Sequence, residues 1–307
     1  MESQSGRSLP VVYQPFDAGR RGHWHDRGAI LDFREAVGGG DLLDFGPGDG
    51  WPSLLVAPLA RSVTGVDGSL RRVQVCRQNA DRLGITNFRA AHCRAGEPLP
   101  FPDNSFDGAM AASSLEQTPD PAAALRELYR VLRPGGRLRI RYESLEGYRG
   151  QERELFARAV NEAMTQLVLI DRRVDEERAL YVVLRLAAPL PAVAERLGVT
   201  EQRPLQFSDL SLAGLEGLRP WLVEAGSFQL IHPACRTWLA LLREAGFRSA
   251  TPTHGGGGFA HRLFEALPPA ERPADLAGVD RLLRPLIAVV VGMEAPAHLS
   301  PPITAVK

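Results

Sequence analysis

The 307-residue sequence is almost without lysine: Lys307 is the single one, and its other cations are arginines beside seven histidines. Schiff-base and pyridoxal chemistry, which needs an interior lysine amine, is thereby excluded. Net charge is missing too, with 36 basic residues against 36 acidic ones. A chain so balanced predicts no DNA groove and no attraction to an acidic membrane. Cysteine is scarce: Cys76, Cys93 and Cys235 are odd in number, far apart and free of any CxxC spacing. That argues against a disulfide framework and a structural zinc, and fits a reducing cytoplasm. Long apolar runs are absent as well. PLIAVVV at 285–291 is too short to cross a bilayer, and MESQSGRSLP at 1–10 lacks the apolar core of a signal peptide. The expectation is a cytoplasmic chain with no membrane partner and no metal.

What is present is ordinary globular composition, 44% hydrophobic and 23% charged, enough for a sizeable core. DRGAILDFREAV at 26–37 has helical spacing and is closed by Gly38–Gly40. From residue 41 to 143 strands and helices alternate. DLLDF, SVTGVD, NFRAAHC, FDGAMAA and GRLRIRYE read as five strands, with helices from about Trp51 to Leu59, over SLRRVQVCRQNADRLGI with Ser69 as N-cap, and over PDPAAALRELYRVL. That order predicts an α/β fold with a doubly wound, mostly parallel sheet, whose ligands bind at the carboxyl edge. Residues 147–230 read as helices without a strand signal. RTWLALLREAGF and RSATPTH then resume the alternation, GGGG at 255–258 reads as a hinge or loose loop, and ITAVK as a last edge strand.

The stretch DLLDFGPGDGWPS at 41–53 sets Gly46, Gly48 and Gly50 behind an apolar run, among Asp44 and Asp49. A dinucleotide fingerprint would need a third glycine at Trp51. A diphosphate would also be repelled by the two acids. A cationic, phosphate-free ligand removes the conflict, and S-adenosylmethionine is one: Asp44 would help hold its ammonium, directly or through water. Asp67 ends the second strand about 20 residues on, where an acid commonly grips ribose hydroxyls.

With these residues in place, the stretch 41–143 resembles the core of class I S-adenosylmethionine-dependent methyltransferases, in particular the small-molecule branch called type 11. LLDFGPGDG is similar to their first motif and VTGVDGS to the second. GEPLPFPDNSFDGAMAASSLEQTPDP is similar to their adenine-side segment and fourth strand, and LRELYRVLRPGGRLRI to the helix, turn and fifth strand that follow. The resemblance implies a Rossmann-like methyltransferase fold and S-adenosyl-L-methionine as cofactor, held by Asp44, Gly46, Gly48, Gly50, Asp67, Gly68, Gly96, Glu97 and Ser113. It departs at Ala95, where the family often has an acid on the adenine amino group. On this reading 1–40 is a cap segment and helix, 41–146 the cofactor-binding core, 147–230 a helical insertion capping the acceptor, and 231–307 the completion of the sheet.

Methyl transfer is an in-line displacement that requires alignment and, for a protonated acceptor, a base. Glu116 follows strand four, where the family often has an acid or histidine near the acceptor, and Tyr142 and Glu143 end strand five. These three are the catalytic candidates. His23 and His25 alternate as on an extended face, and Trp24 and Tyr13 are candidates to cap the cofactor. The expected partner is a small-molecule acceptor, with a homodimer left open. The alternative is a catalytically degenerate cofactor-binding or regulatory module of the same fold.

Overall fold

A computed structural model describes residues 15–145, 152–172, 177–198 and 211–307. The chain divides into two compact units, Met1–Glu143 with Cys235–Lys307, and Ser144–Ala234. In chain order the elements are α1 (Arg21–Val37), β1 (Asp41–Phe45), α2 (Ser53–Val56), β2 (Ser62–Asp67), α3 (Leu70–Arg82), β3 (Phe88–His92), β4 (Phe106–Ala112), α4 (Pro121–Val131) and β5 (Leu132–Arg141). The second unit supplies β6 (Arg153–Asn161), β7 (Met164–Asp171), β8 (Arg178–Leu186), α5 (Leu190–Arg196), α6 (Leu212–Leu218) and β9 (Leu222–Ile231). The first unit then resumes with α7 (Cys235–Glu244), β10 (Ser249–Pro252), α8 (Gly256–Ala266), α9 (Leu276–Val290) and β11 (Ile303–Val306).

The first unit is built on a seven-stranded sheet in the order β10-β11-β5-β4-β1-β2-β3. β1 pairs in parallel with β2 on one side and β4 on the other, so the strand order reverses between β1 and β4. Alternating residues along the strands feed two cores. Leu43, Ala109, Ala111, Leu138 and Ile140 pack on one face with α4 and α7 residues. Leu42, Val63 and Met110 pack on the other with Ile30, Phe33 and Val37 of α1. Caps act where the sequence places them: Ser69 accepts the Arg72 N–H at 3.3 Å, and Asp120 accepts the Ala123 N–H at 2.9 Å.

Four expectations are corrected. β11 is not an edge strand; it lies antiparallel between β5 and β10, with Ile303 and Ala305 fully buried. The helix foreseen from residue 51 shrinks to α2 and a 3-10 turn at Ala57–Leu59. The glycines of 255–258 form no loose loop, because Gly255 caps α8 and the next three make its first turn. The reason is close packing: a Cβ on Gly28 of α1 would stand 2.5 Å from both Ala260 Cβ and Gly256 O, so α1 and α8 can meet only with no side chain between them. Buried Asp32 accepts the Gly256 N–H at 2.6 Å and grips Arg139 of β5 at 2.7 and 2.9 Å, tying the helix pair to the sheet.

The fourth correction is the largest. The second unit is not all-helical: β6-β7-β8-β9 form an antiparallel sheet, and only α5 and α6 are helices of four residues or more among its described residues. Leu155, Leu167 and Leu186 share a core with Val193, Leu197 and Leu218 of the helical segments. Its strands carry many leucines, arginines and alanines, good helix formers, and cross-strand pairing overrides that preference.

Candidate functional site

The carboxyl ends of β1, β2 and β4 open on a cavity of about 440 Å³ lined wholly by residues of the first unit. β1 delivers the chain into the glycine turn. Gly46, Gly48 and Gly50 all have positive φ, at 76°, 56° and 117°. At Gly46 the requirement is also steric, since a Cβ there would lie 2.5 Å from Ser114 Cβ. The three glycine amides are all engaged inside the protein. Gly46 donates to Val66 O at 2.8 Å, Gly48 to Asp67 Oδ2 at 3.1 Å, and Gly50 to Pro47 O at 2.8 Å. A phosphate-binding turn instead points its amides at the anion. The helix that follows has only four residues, Ser53–Val56, so its dipole is weak.

Asp67 closes β2 with its carboxylate between two chain segments. Oδ2 accepts from Gly48, Oδ1 accepts the Ser69 N–H at 2.8 Å, and the residue lines the cavity. Across from it, Ser113 holds a left-handed φ of 50°, fixed by its N–H donating to Arg141 O at 2.7 Å and its O accepting from Gln117 Nε2.

Gly46, Gly48, Asp67, Gly68, Gly96, Glu97 and Ser113 line the cavity together. Asp44 and Gly50 do not, and stand behind the turn as supports. Asp44 is fully buried; Ser53 Oγ donates to its Oδ2 at 2.5 Å, while Oδ1 has no partner among the described residues. Burial pushes its carboxyl up to about 7, with the Asp67 charge adding to the rise and the Ser53 hydrogen bonds opposing it. Burial, with Asp44, Asp67 and Asp49 nearby, likewise raises the Cys76 thiol.

The three catalytic candidates also lie outside the lining. Glu116 is buried, with Oε1 accepting the Glu143 N–H at 2.9 Å and Oε2 without a partner among the described residues. Burial pushes this carboxyl up to about 7 against the pull of that hydrogen bond. It braces the end of β4 against the end of β5. The Tyr142 ring tilts against Trp238 of α7 at 5.9 Å, and Glu143 is exposed.

Trp24 is not a cap on the cavity: it is fully buried in α1, its Nε1 donates to Ala18 O, and it packs edge-on against Phe264. Tyr13 falls outside the described residues. His23 and His25 sit on a helix rather than an extended face. His23 Nδ1 accepts the Asp17 N–H at 2.8 Å, and His25 contacts Asp26. Among the described residues no three His, Cys, Asp or Glu side chains gather as metal ligands would.

Sequence reasoning missed Trp51 and Arg72 as lining residues. Trp51 was legible as the residue in place of a third glycine; its ring meets Phe33 edge-on and Arg141 over its face at 5.4 Å. Arg72 carried no signal beyond its place in the first turn of α3.

Residues 43–140, about a third of the chain, match the family model described as a methyltransferase domain. A demethylmenaquinone methyltransferase of Listeria welshimeri is 45% identical over 76 residues, 25% of this chain and 32% of that protein. The ubiquinone/menaquinone biosynthesis C-methyltransferase UbiE of Geotalea daltonii is 36% identical over 107 residues, 33% of this chain and 44% of that one. The chain thus spans under half the length of these two curated relatives. Two solved structures share the fold over nearly the whole chain. The CcbJ methyltransferase of Streptomyces caelestis has a TM-score of 0.50 at 14% identity, covering 96% of this chain and 98% of its own. An S-adenosylmethionine-dependent methyltransferase of Clostridium acetobutylicum has a TM-score of 0.50 at 9% identity, covering 92% and 89%.

Proposed function

We propose that residues 43–140, which match a methyltransferase domain, form a class I S-adenosylmethionine-dependent domain, and that the chain transfers a methyl group from S-adenosylmethionine to a small-molecule acceptor. The observation that carries the reading is the glycine turn: its three amides are engaged internally, and Asp67 and Glu97 line the cavity beside it, which favours a cationic ligand over a diphosphate. The residues present fit such a ligand. Asp67, at the mouth of β2, offers carboxylate lone pairs to two ribose hydroxyls. Gly46 and Gly48 leave room for the backbone to approach the ligand's amino-acid end. Gly96 and Glu97 border the adenine side, where Ala95 supplies no side-chain hydrogen bond, a difference worth ~1 kcal/mol.

When bound, the cofactor supplies a methyl carbon already activated by its sulfonium. What the chain must add is alignment and the exclusion of water. A quinone-like ring is one acceptor the relatives' names suggest, and the near-neutral composition agrees with a small acceptor rather than nucleic acid. The free cysteines Cys76, Cys93 and Cys235 support a reducing, cytoplasmic setting. The test is a thermal-shift panel of S-adenosylmethionine, S-adenosylhomocysteine, NAD and NADP. The first two should raise the melting temperature, increasingly as their concentration exceeds the dissociation constant, and the dinucleotides should leave it unchanged.

A further inference from the structure

Strand β5 carries two arginines on its α1 face, and they differ in what answers their charge. Leu138 and Ile140 point into the opposite core, so Arg139 and Arg141 share the other face. Arg139 is fully buried and fully used. Asp32 takes its fork at 2.7 and 2.9 Å, and the hydroxyls of Thr253 and Thr304 accept from it as well. Arg141 is half-buried, yet its guanidinium makes no hydrogen bond and no ion pair among the described residues. It lies over the Trp51 ring at 5.4 Å, and each of its nitrogens keeps contact with solvent. Burial works against its charge, Arg139 adds to that, and Asp32 and Asp26 offset only part. Both acids are engaged elsewhere: Asp32 with Arg139 and the Gly256 N–H, Asp26 with His25 at 3.3 Å.

The place of this unanswered fork is next to the donor cavity but outside it. Arg141 pairs with Ala112 of β4, and its O accepts the Ser113 N–H at 2.7 Å. Ala112, Ser113 and Trp51 all line the cavity, and Arg141 does not. A charge set beside the donor's envelope meets the second substrate rather than the donor.

We infer that Arg141 is a specificity residue for the methyl acceptor, and that the acceptor carries a carboxylate which the guanidinium takes as a bidentate pair while Trp51 holds the fork flat. The inference rests on the S-adenosylmethionine reading of the adjoining cavity. A half-buried fork discriminates well, because an uncharged acceptor would leave the cation without a partner in a place where water is scarce.

The test is saturation-transfer NMR of benzoate and its uncharged counterpart benzamide against the full chain, with and without saturating S-adenosylhomocysteine, whose own affinity is read by calorimetry. Benzoate should bind saturably and benzamide should not. Arg141→Met should raise the benzoate dissociation constant ~10-fold or more, leave that of S-adenosylhomocysteine within ~2-fold of wild type, and leave the circular dichroism unchanged. Arg141→Lys, which keeps the charge without the fork, should recover part of the benzoate affinity. Equal binding of the two probes, or benzoate binding indifferent to Arg141→Met, would overturn the inference. So would a parallel loss of S-adenosylhomocysteine affinity, which would give the arginine to the donor's own carboxylate. A chain that binds benzoate through Arg141 but rejects S-adenosylhomocysteine would refute the donor reading and still support the anion site.

Discussion

Asp67 is held by two backbone amides, from Gly48 on one side and Ser69 on the other, so its carboxylate is positioned before any ligand arrives. Asp67→Ala should therefore weaken S-adenosylmethionine binding by ~1–3 kcal/mol through loss of charge-assisted hydrogen bonds, and should also lower the melting temperature of the free protein, because the Gly48 and Ser69 amides lose their acceptor. Titration calorimetry reads this directly. Asp44 behaves differently because it is buried. Its carboxyl rises from 3.8 to about 7, so through that window the unfolded chain is ionised while the folded one keeps the proton. The folded state then binds more protons, and stability falls as pH rises, by up to ~1.4 kcal/mol per unit. Glu116, raised from 4.5 to about 7, adds to the same slope. Asp44→Asn should flatten that decline and leave the protein more stable than wild type above neutrality, as read by melting temperature against pH. A variant that keeps the wild-type slope would contradict this assignment. At this scale the glycines and Asp67 were legible, because a turn that needs positive φ and a strand-ending acid are written in residue type. The burial of Asp44, Glu116 and Trp24 was not, because it depends on what other elements place over them.

Elements were legible where pattern and pairing agree. The five strands and their intervening helices from 41 to 141 follow from alternation, caps and turn residues, and β4 falls on FDGAMAA, as read. They were misread where local preference and tertiary contact conflict. β6, β7 and β8 carry helix-forming residues but are held as strands by their neighbours. Gly256–Gly258 look like a break, yet Gly28 and Gly256 are where two helix backbones approach. Gly28→Val should accordingly cost ~1–3 kcal/mol or more, since the added carbons must force α1 from α8. Urea denaturation measures it, and a wild-type midpoint and slope would refute the close-packing account.

For the whole molecule, the sheet order β10-β11-β5-β4-β1-β2-β3 places the reversal of strand order at β1 and β4, and the cavity opens there. The methyltransferase assignment rests on that geometry together with the matched third of the chain. The acceptor was not legible because in-line transfer requires a pocket shape more than a fixed set of residues. Every residue lining the cavity comes from the first unit, so on the proposed reading the donor's binding is a property of that unit. The central claim is that the glycine turn after β1, with Asp67 beside it, takes a cationic, phosphate-free donor. Its most direct measurement is a calorimetric titration of the purified chain with S-adenosylmethionine, repeated in the presence of saturating NAD. Saturable heat at one site per chain, unaffected by NAD and abolished by prior addition of S-adenosylhomocysteine, is the predicted result. Heat from NAD alone, or its displacement of S-adenosylmethionine, would contradict it.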